Sequence, residues 1–448
     1  MAPPGHAWPD ASGMGLTMEP FELTATAALR ALHDGTLTAE ALTRSCLGRI
    51  ADREPAVRAF VFLDAALAIG QAREVDKACG KGALHGMPIG IKDMIDTADM
   101  PTTHNSPIYQ GHRPGQDAAC VAISRAEGAV IMGKTDTLEF AAGGRRARTS
   151  NPEDETRTPG GSSSGSAAAV AAGMVPLAYG TQTGGSTIRP ASFCGAYAMK
   201  PTHGVVSTQG FKRYSHTLDT IGWYARAPED LALPARAFRL WGMEEAPAPK
   251  PLAALRIAVV EGPNWTRAED SARQALHLAA DRLRRAGARV EPLALPPPFD
   301  SITAAQRTIM RSEGRGAFLA EYLLHHAKLH AEFRDTVENK TGIAARDLVA
   351  AHDLAAECRR LFDALFPELD AVLTPSAVGE APVGLQNNGD PVFNAMWTLL
   401  HVPCIAIPCH RGPNGMPVGV QIVGPRYGDA ALLAVAQAIG PVIDAGAG

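Results

Sequence analysis

Two glycine–serine turns that bracket a run of small apolar residues constrain this chain more than any other feature. Residues 160–186 read GGSSSGSAAAVAAGMVPLAYGTQTGGS, which places Ser162 and Ser186 24 positions apart. A flexible linker would not enclose an alanine-rich helix and an apolar run that reads as buried. The glycines here therefore let backbone approach backbone or a substrate. The 46% hydrophobic and 20% charged fractions supply the core such a stretch needs.

Around it, helical and strand patterns alternate. Apolar spacing predicts helices over 24–33 and 38–52, a short strand over 59–63 and a helix over 65–78. A strand over 88–91 follows and runs into Lys92-Asp93, an unusual place for a cation. A helix over 118–127, a buried strand over 129–132 and a polar loop over 144–160 then lead to the first serine cluster. From Leu255 a strand, a helix over 271–286 and the strand ARVEPLAL form a βαβ pattern. Residues 301–366 read as mostly helical, and 369–377 as a buried strand. PCIAIPC and PVGVQIVGP flank a GPNGM turn, and a helix over 430–439 closes the chain. The expectation is an α/β fold, a mixed central sheet covered by helices on both faces, with residues 1–20 loose and 21–448 forming one domain.

Bulk properties narrow the function. A net charge of −4 offers no basic field for nucleic acid or an anionic membrane, and the longest apolar run, 167–179, is broken by Gly173 and Pro176. Seven scattered cysteines without metal-type spacing read as small buried residues in a reducing compartment, and the N-terminus has no secretory pattern. A cytoplasmic protein without metal or cofactor is expected.

The chemistry concentrates at the serines. Consecutive glycines in Thr183-Gly184-Gly185-Ser186 can turn several N–H groups toward one point, a nest suited to an oxyanion. On the residues GMPIGIKD around Lys92, GGSSSGS around Ser162 and TGGS around Ser186, together with KPTHGVVS, SHTLDTIG and GMPVGVQIVGP, the chain resembles the amidase signature family. The resemblance covers about residues 24–440 and is nearest to the malonamidase-like branch. It implies Ser186 as nucleophile, Ser162 as bridging serine after a cis Gly161–Ser162 peptide, Lys92 as base, and Thr183, Gly184, Gly185 and Ser186 as oxyanion hole. A desolvated lysine can be neutral enough to accept a proton. The implied activity is hydrolysis of a small linear amide through an acyl-enzyme, with carbamates, anilides and esters open to the same route; a homodimer is compatible with it.

Arg189 stands three residues after Ser186, the malonamidase-like spacing. That implies an anchor for a substrate carboxylate, as on malonamate, against the alternative of a structural ion pair. Thr374 is a further candidate for the same pocket. The segment GSSSG also fits a G-x-S-x-G nucleophile elbow centred on Ser163, but the polar EDETRTPG precedes it where an elbow needs an apolar strand. Ser163 and Ser164 are expected as supporting or helix-capping hydroxyls. His325, His326 and His330 are expected to be solvated or packed, Asp219 to be structural, and Phe211, Tyr214, Trp223, Phe393 and Trp397 to belong to core or pocket. Two rivals remain: the A subunit of a glutamyl-tRNA amidotransferase complex, and an inactive amide-binding homologue. The arginine spacing and the GTQTGGS, PGGSSSGS and DTADMPT segments favour a stand-alone enzyme over the first, and the presence of Lys92, Ser162 and Ser186 together argues against the second.

Overall fold

The computed structural model describes residues 18–78, 80–244 and 248–445. The loose N-terminal segment expected over 1–20 therefore lies, up to residue 17, outside the described residues. Among the described residues eleven strands form one mixed sheet. In chain order they are β1 (Phe60–Leu63), β2 (Pro88–Lys92), β3 (Val130–Thr135), β4 (Leu177–Gln182), β5 (Tyr197–Lys200), β6 (Thr220–Ala225), β7 (Arg256–Val259), β8 (Arg289–Pro292), β9 (Ala371–Pro375), β10 (Cys404–Arg411) and β11 (Pro417–Val423). Across the sheet they run β1-β3-β2-β4-β6-β5-β10-β11-β9-β7-β8.

The local patterns explain the elements. Thr24 and Thr38 accept the Ala27 and Ala41 N–H groups, at 3.2 and 3.1 Å, and so start the first two helices as N-caps. The second helix runs on past the expected end at Asp52 to Val57, where left-handed Arg58 closes it on the Glu54 carbonyl. The βαβ unit has β7 and β8 parallel around the helix Asp270–Arg285. β10 and β11 pair antiparallel from Cys404↔Val423 to Arg411↔Pro417 across the expected turn. The six cysteines among the described residues are buried and form no disulfide with one another. No helix among the described residues is long and apolar enough to cross a membrane.

The parallel trio β3-β2-β4 positions the site. β2 lies between the other two, in register Lys92↔Thr135 on one side and Ile91↔Tyr179 on the other. Lys92, Thr135 and Thr181 thus reach the same edge, the carboxyl ends of parallel strands, where α/β sheets hold their ligands. The helix Ser164–Ala171 lies directly on these strands and is buried along nearly its whole length. Only small residues permit that approach. Its two polar side chains are satisfied inward: Ser166 Oγ donates to the Tyr179 carbonyl at 2.8 Å and Ser164 Oγ to the Gly160 carbonyl at 2.7 Å.

Gly165 is where the packing is tightest, since a Cβ there would lie 2.2 Å from the Ala59 carbonyl oxygen and 2.4 Å from the Asp136 nitrogen. Both are backbone atoms and cannot swing aside. Gly165→Ala gains up to about 1 kcal/mol of helix propensity and should nonetheless destabilise the fold by about 2–4 kcal/mol through overpacking. Urea denaturation checks this, and an unchanged or raised midpoint would contradict the packing account.

Candidate active site

Lys92 ends β2 with its side chain fully buried. Its Nζ lies 2.7 Å from Ser162 Oγ, 3.0 Å from Ser163 Oγ and 2.7 Å from Thr181 Oγ1. Among the described residues no carboxylate forms an ion pair with it. Burial therefore holds its pKa well below the ordinary value of 10.5, and the charge of Asp219 opposes this only in part. Lys134, on the neighbouring strand, shows the contrast: equally buried, it has Asp93 Oδ1 at 3.4 Å as well as the Ile95 carbonyl and Thr102 hydroxyl. One buried lysine has a counter-ion and the other has only hydroxyls.

The Gly161–Ser162 peptide is cis. Ser162 is 1% exposed, and the Ser163 N–H donates to the Ser186 carbonyl at 3.4 Å, which sets the two serine turns against each other. Ser163 is committed elsewhere. Its hydroxyl donates to the Thr181 carbonyl and accepts the Thr181 N–H, both at 3.2 Å, so it is not the exposed apex that a nucleophile elbow requires. Nor does it cap the following helix, as expected; the lysine amine occupies it instead.

Ser186 is half-buried and lines a cavity of about 630 Å³ together with Thr183, Gly184, Gly185 and Arg189. The carbonyls of this loop are all engaged. Gln306 Nε2 donates to Thr183 O at 2.9 Å, Thr398 Oγ1 to Gly184 O at 2.8 Å, Arg189 N to Gly185 O at 3.0 Å and Tyr224 Oη to Ser186 O at 3.2 Å. Among the described residues no acceptor engages the N–H groups of Gly184, Gly185 or Ser186. A loop with its carbonyls tied back and its N–H groups free is a ready anion cradle. Asp219 braces it from below, accepting from the Thr183 hydroxyl and from the Tyr214 and Ser215 N–H groups; burial raises its pKa to about 6. Gln182 Oε1 accepts the Thr187 and Ile188 N–H groups at 2.9 and 3.1 Å and holds the loop's exit.

Arg189 is 5% exposed and donates from Nη2 to the Gly161 carbonyl at 2.5 Å, while its Nε and Nη1 are buried without a partner. Burial lowers its pKa to about 10. No ion pair among the described residues includes it, so the structural ion-pair alternative has no carboxylate to rest on. Thr374 does not join this cavity, contrary to expectation. It lies within β9, paired in register with Gln421, and the cavity wall is formed by residues 386–391 beyond that strand.

Of the five aromatics singled out, Tyr214 lines the cavity while Phe211, Trp223, Phe393 and Trp397 are buried outside its lining; Phe333 joins the wall. His330 caps the helix Ala331–Val337 through Nδ1. Thr181, Gln306 and Thr398 are the supporting residues that sequence patterns missed. Thr181 carried a signal, lying in GTQTGG at a strand end, but the other two come from over a hundred residues away and carried none.

Residues 41–433 match the Amidase family. The chain belongs to the amidase signature family. The A subunit of glutamyl-tRNA(Gln) amidotransferase from Chloroflexus aggregans is 35% identical to this amidase-family chain over 480 aligned positions, covering 94% of this chain and 96% of that one. The solved structure of the peptide amidase of Stenotrophomonas maltophilia superposes with a TM-score of 0.81 at 28% identity, covering 94% and 97%. The glutamyl-tRNA(Gln) amidotransferase chain of the same kind from Thermotoga maritima superposes with a TM-score of 0.80 at 27%, covering 95% and 96%. These relatives establish the amidase signature family and do not single out the malonamidase-like branch.

The buried amine has a thermodynamic consequence. Because the folded pKa of Lys92 lies below the unfolded value, the unfolded chain binds a proton in the window between them that the folded chain does not. Folded stability then rises with pH across that window, by up to about 1.4 kcal/mol per unit, and levels off above the unfolded value. Lys92→Met removes this slope. Denaturation from pH 7 to 10 should show the stability of the variant relative to the parent falling as pH rises, and a constant difference would contradict a neutral buried lysine.

Proposed function

We propose that this chain cleaves the C–N bond of a small primary amide bearing a carboxylate, with Ser186 as nucleophile, Ser162 as proton relay and Lys92 as base. The observation that carries the reading is the Lys92 amine, buried without a counter-ion and in contact with the Ser162 hydroxyl. In the neutral amine one lone pair needs a donor, and the Ser163 hydroxyl is turned away to the Thr181 carbonyl. Ser162 can fill that role and pass its proton to Nζ while taking one from Ser186.

Ser186 Oγ attacks the amide carbon, its proton moves to Ser162 Oγ, and the Ser162 proton moves to Lys92 Nζ. The negative charge on the former carbonyl oxygen falls to the N–H groups of the 183–186 loop. Lys92 then returns a proton through Ser162 to the leaving nitrogen, the C–N bond breaks, and ammonia departs. Water attacks the acyl ester by the same proton route in reverse and releases the acid. The same route serves a carbamate, an anilide or an ester. What favours a carboxylate-bearing amide is Arg189, which lines the cavity beside Ser186 and has two guanidinium nitrogens without a partner, so its charge is left for a substrate carboxylate to meet.

Within that class we favour the amidotransferase-type role over a malonamate-selective amidase. The relatives that carry the amidotransferase name align along almost the full length of both chains at 35% identity, and glutamine is a primary amide with a carboxylate for Arg189. The reading predicts ammonia release from glutamine that depends on the partner subunits of such a complex. Brisk turnover of malonamate, peptide amides or carbamates by the isolated chain, without partner or ATP, would favour a stand-alone hydrolase instead.

Ser186→Ala should lower kcat by at least about 10⁴-fold and abolish labelling by a fluorophosphonate; labelling retained at this site would remove the nucleophile assignment. Arg189→Ala should raise KM for carboxylate-bearing amides by about 10–100-fold and affect neutral amides far less. Equal effects on both would refute the anchor.

A further inference from the structure

Beside the first cavity lies a second, of about 500 Å³, and the two share Arg146 and Gln386 as a common wall. Four arginines line it: Arg58, Arg145, Arg146 and Arg148. In a chain of net charge −4 this concentration does not follow from composition.

Nearby carboxylates neutralise only one of the four. Glu139 is fully buried and engages Arg145 through both oxygens, at 2.7 and 2.8 Å. Asp136 is 2% exposed and accepts the backbone N–H groups of Arg148 and Thr149. Arg58 reaches Ser150 Oγ at 2.5 Å. Among the described residues no carboxylate pairs with Arg58, Arg146 or Arg148. Arg58 also sits at φ 56°, closing the helix Ala39–Val57 in a left-handed conformation that glycine usually supplies. The chain thus places a long cation at a backbone position that disfavours it, with the side chain at the groove.

Clustered guanidinium groups repel one another unless an anion bridges them, and their forked donors match carboxylate and phosphate oxygens. We propose that this groove binds an oxyanion, carboxylate or phosphate, at the far end of an extended amide substrate whose reacting carbonyl lies at Ser186. Arg146 and Gln386 line both cavities, so the two adjoin, and a substrate whose reacting carbonyl lies at Ser186 and that extends past Arg146 would place its far end in the groove. The inference rests on the hydrolase reading for the reacting end only.

The test is calorimetric binding to the Ser186→Ala protein at low salt, using inorganic pyrophosphate and the peptide amides Asp-Asp-Gly-Gly-amide and Gly-Gly-Gly-Gly-amide. Pyrophosphate should bind, and the acidic peptide should bind at least about tenfold more tightly than the neutral one, with added salt reducing the preference. Arg58→Ala/Arg148→Ala should abolish both pyrophosphate binding and the preference, while fluorophosphonate labelling of Ser186 in the corresponding Ser186-containing protein stays unchanged. Equal binding of the two peptides, or a preference that survives the double substitution, would overturn the proposal. Pyrophosphate binding without any peptide preference would overturn it too, leaving a site for a free oxyanion. Failure of every amide to be turned over even with the partner subunits of an amidotransferase complex present would refute the hydrolase reading alone, because the binding measurement requires no catalysis.

Discussion

A lysine amine held inside the protein by three hydroxyls and no carboxylate is the constraint on which the rest of the site depends. Removing an ammonium from water costs several kcal/mol unless a counter-ion compensates, and Lys134, one strand away, has such a partner in Asp93. Lys92 does not, and the cheaper state for it is the neutral amine. Both serine turns acquire their chemistry from that choice. Ser162 presents its hydroxyl to the amine at 2.7 Å, and Ser163 is spent on holding Thr181 in place.

The cradle at 183–186 follows the same logic with the opposite charge. Free backbone N–H groups would turn toward any nearby carbonyl, so the loop has to be fastened by its own carbonyls. Gln306, Thr398, Tyr224 and the Arg189 backbone do this from four directions. Asp219 adds a carboxylate that fixes Thr183 and lies close enough for its charge to act on Lys92. Placing that carboxylate in direct contact would protonate the amine. Bound instead to the Thr183 hydroxyl and the Tyr214 and Ser215 N–H groups, it braces the cradle without forming an ion pair with Lys92.

Much of this arrangement was legible in the sequence because the candidate residues sit in locally distinctive stretches. A cation at the end of an apolar strand marked Lys92, and paired glycines before serines marked both turns. The hairpin at 404–423 and the βαβ unit were readable from turn residues and periodicity. What was not legible depends on contacts between distant segments. The cavity wall combines residues 138–146, 310–341 and 386–391, and no local pattern shows that these converge. Thr374 was misassigned for the same reason: a strand residue near a loop in sequence is not near the cavity that the loop encloses. The Arg189 spacing pointed to a side chain whose Nε and Nη1 the structure leaves without partners, but a spacing carries no information on which carboxylate, if any, it meets.

The protonation state of Lys92 tests the central claim most directly. Selective ¹³C or ¹⁵N labelling of lysine, with the Lys92 resonance assigned by comparison with Lys92→Met, allows its side chain to be titrated by NMR in the intact protein. The account predicts a neutral amine at pH 8, with a pKa well below the ordinary 10.5. A resonance that remains that of an ammonium up to pH 10 would contradict it, because a protonated Lys92 cannot accept a proton from Ser162.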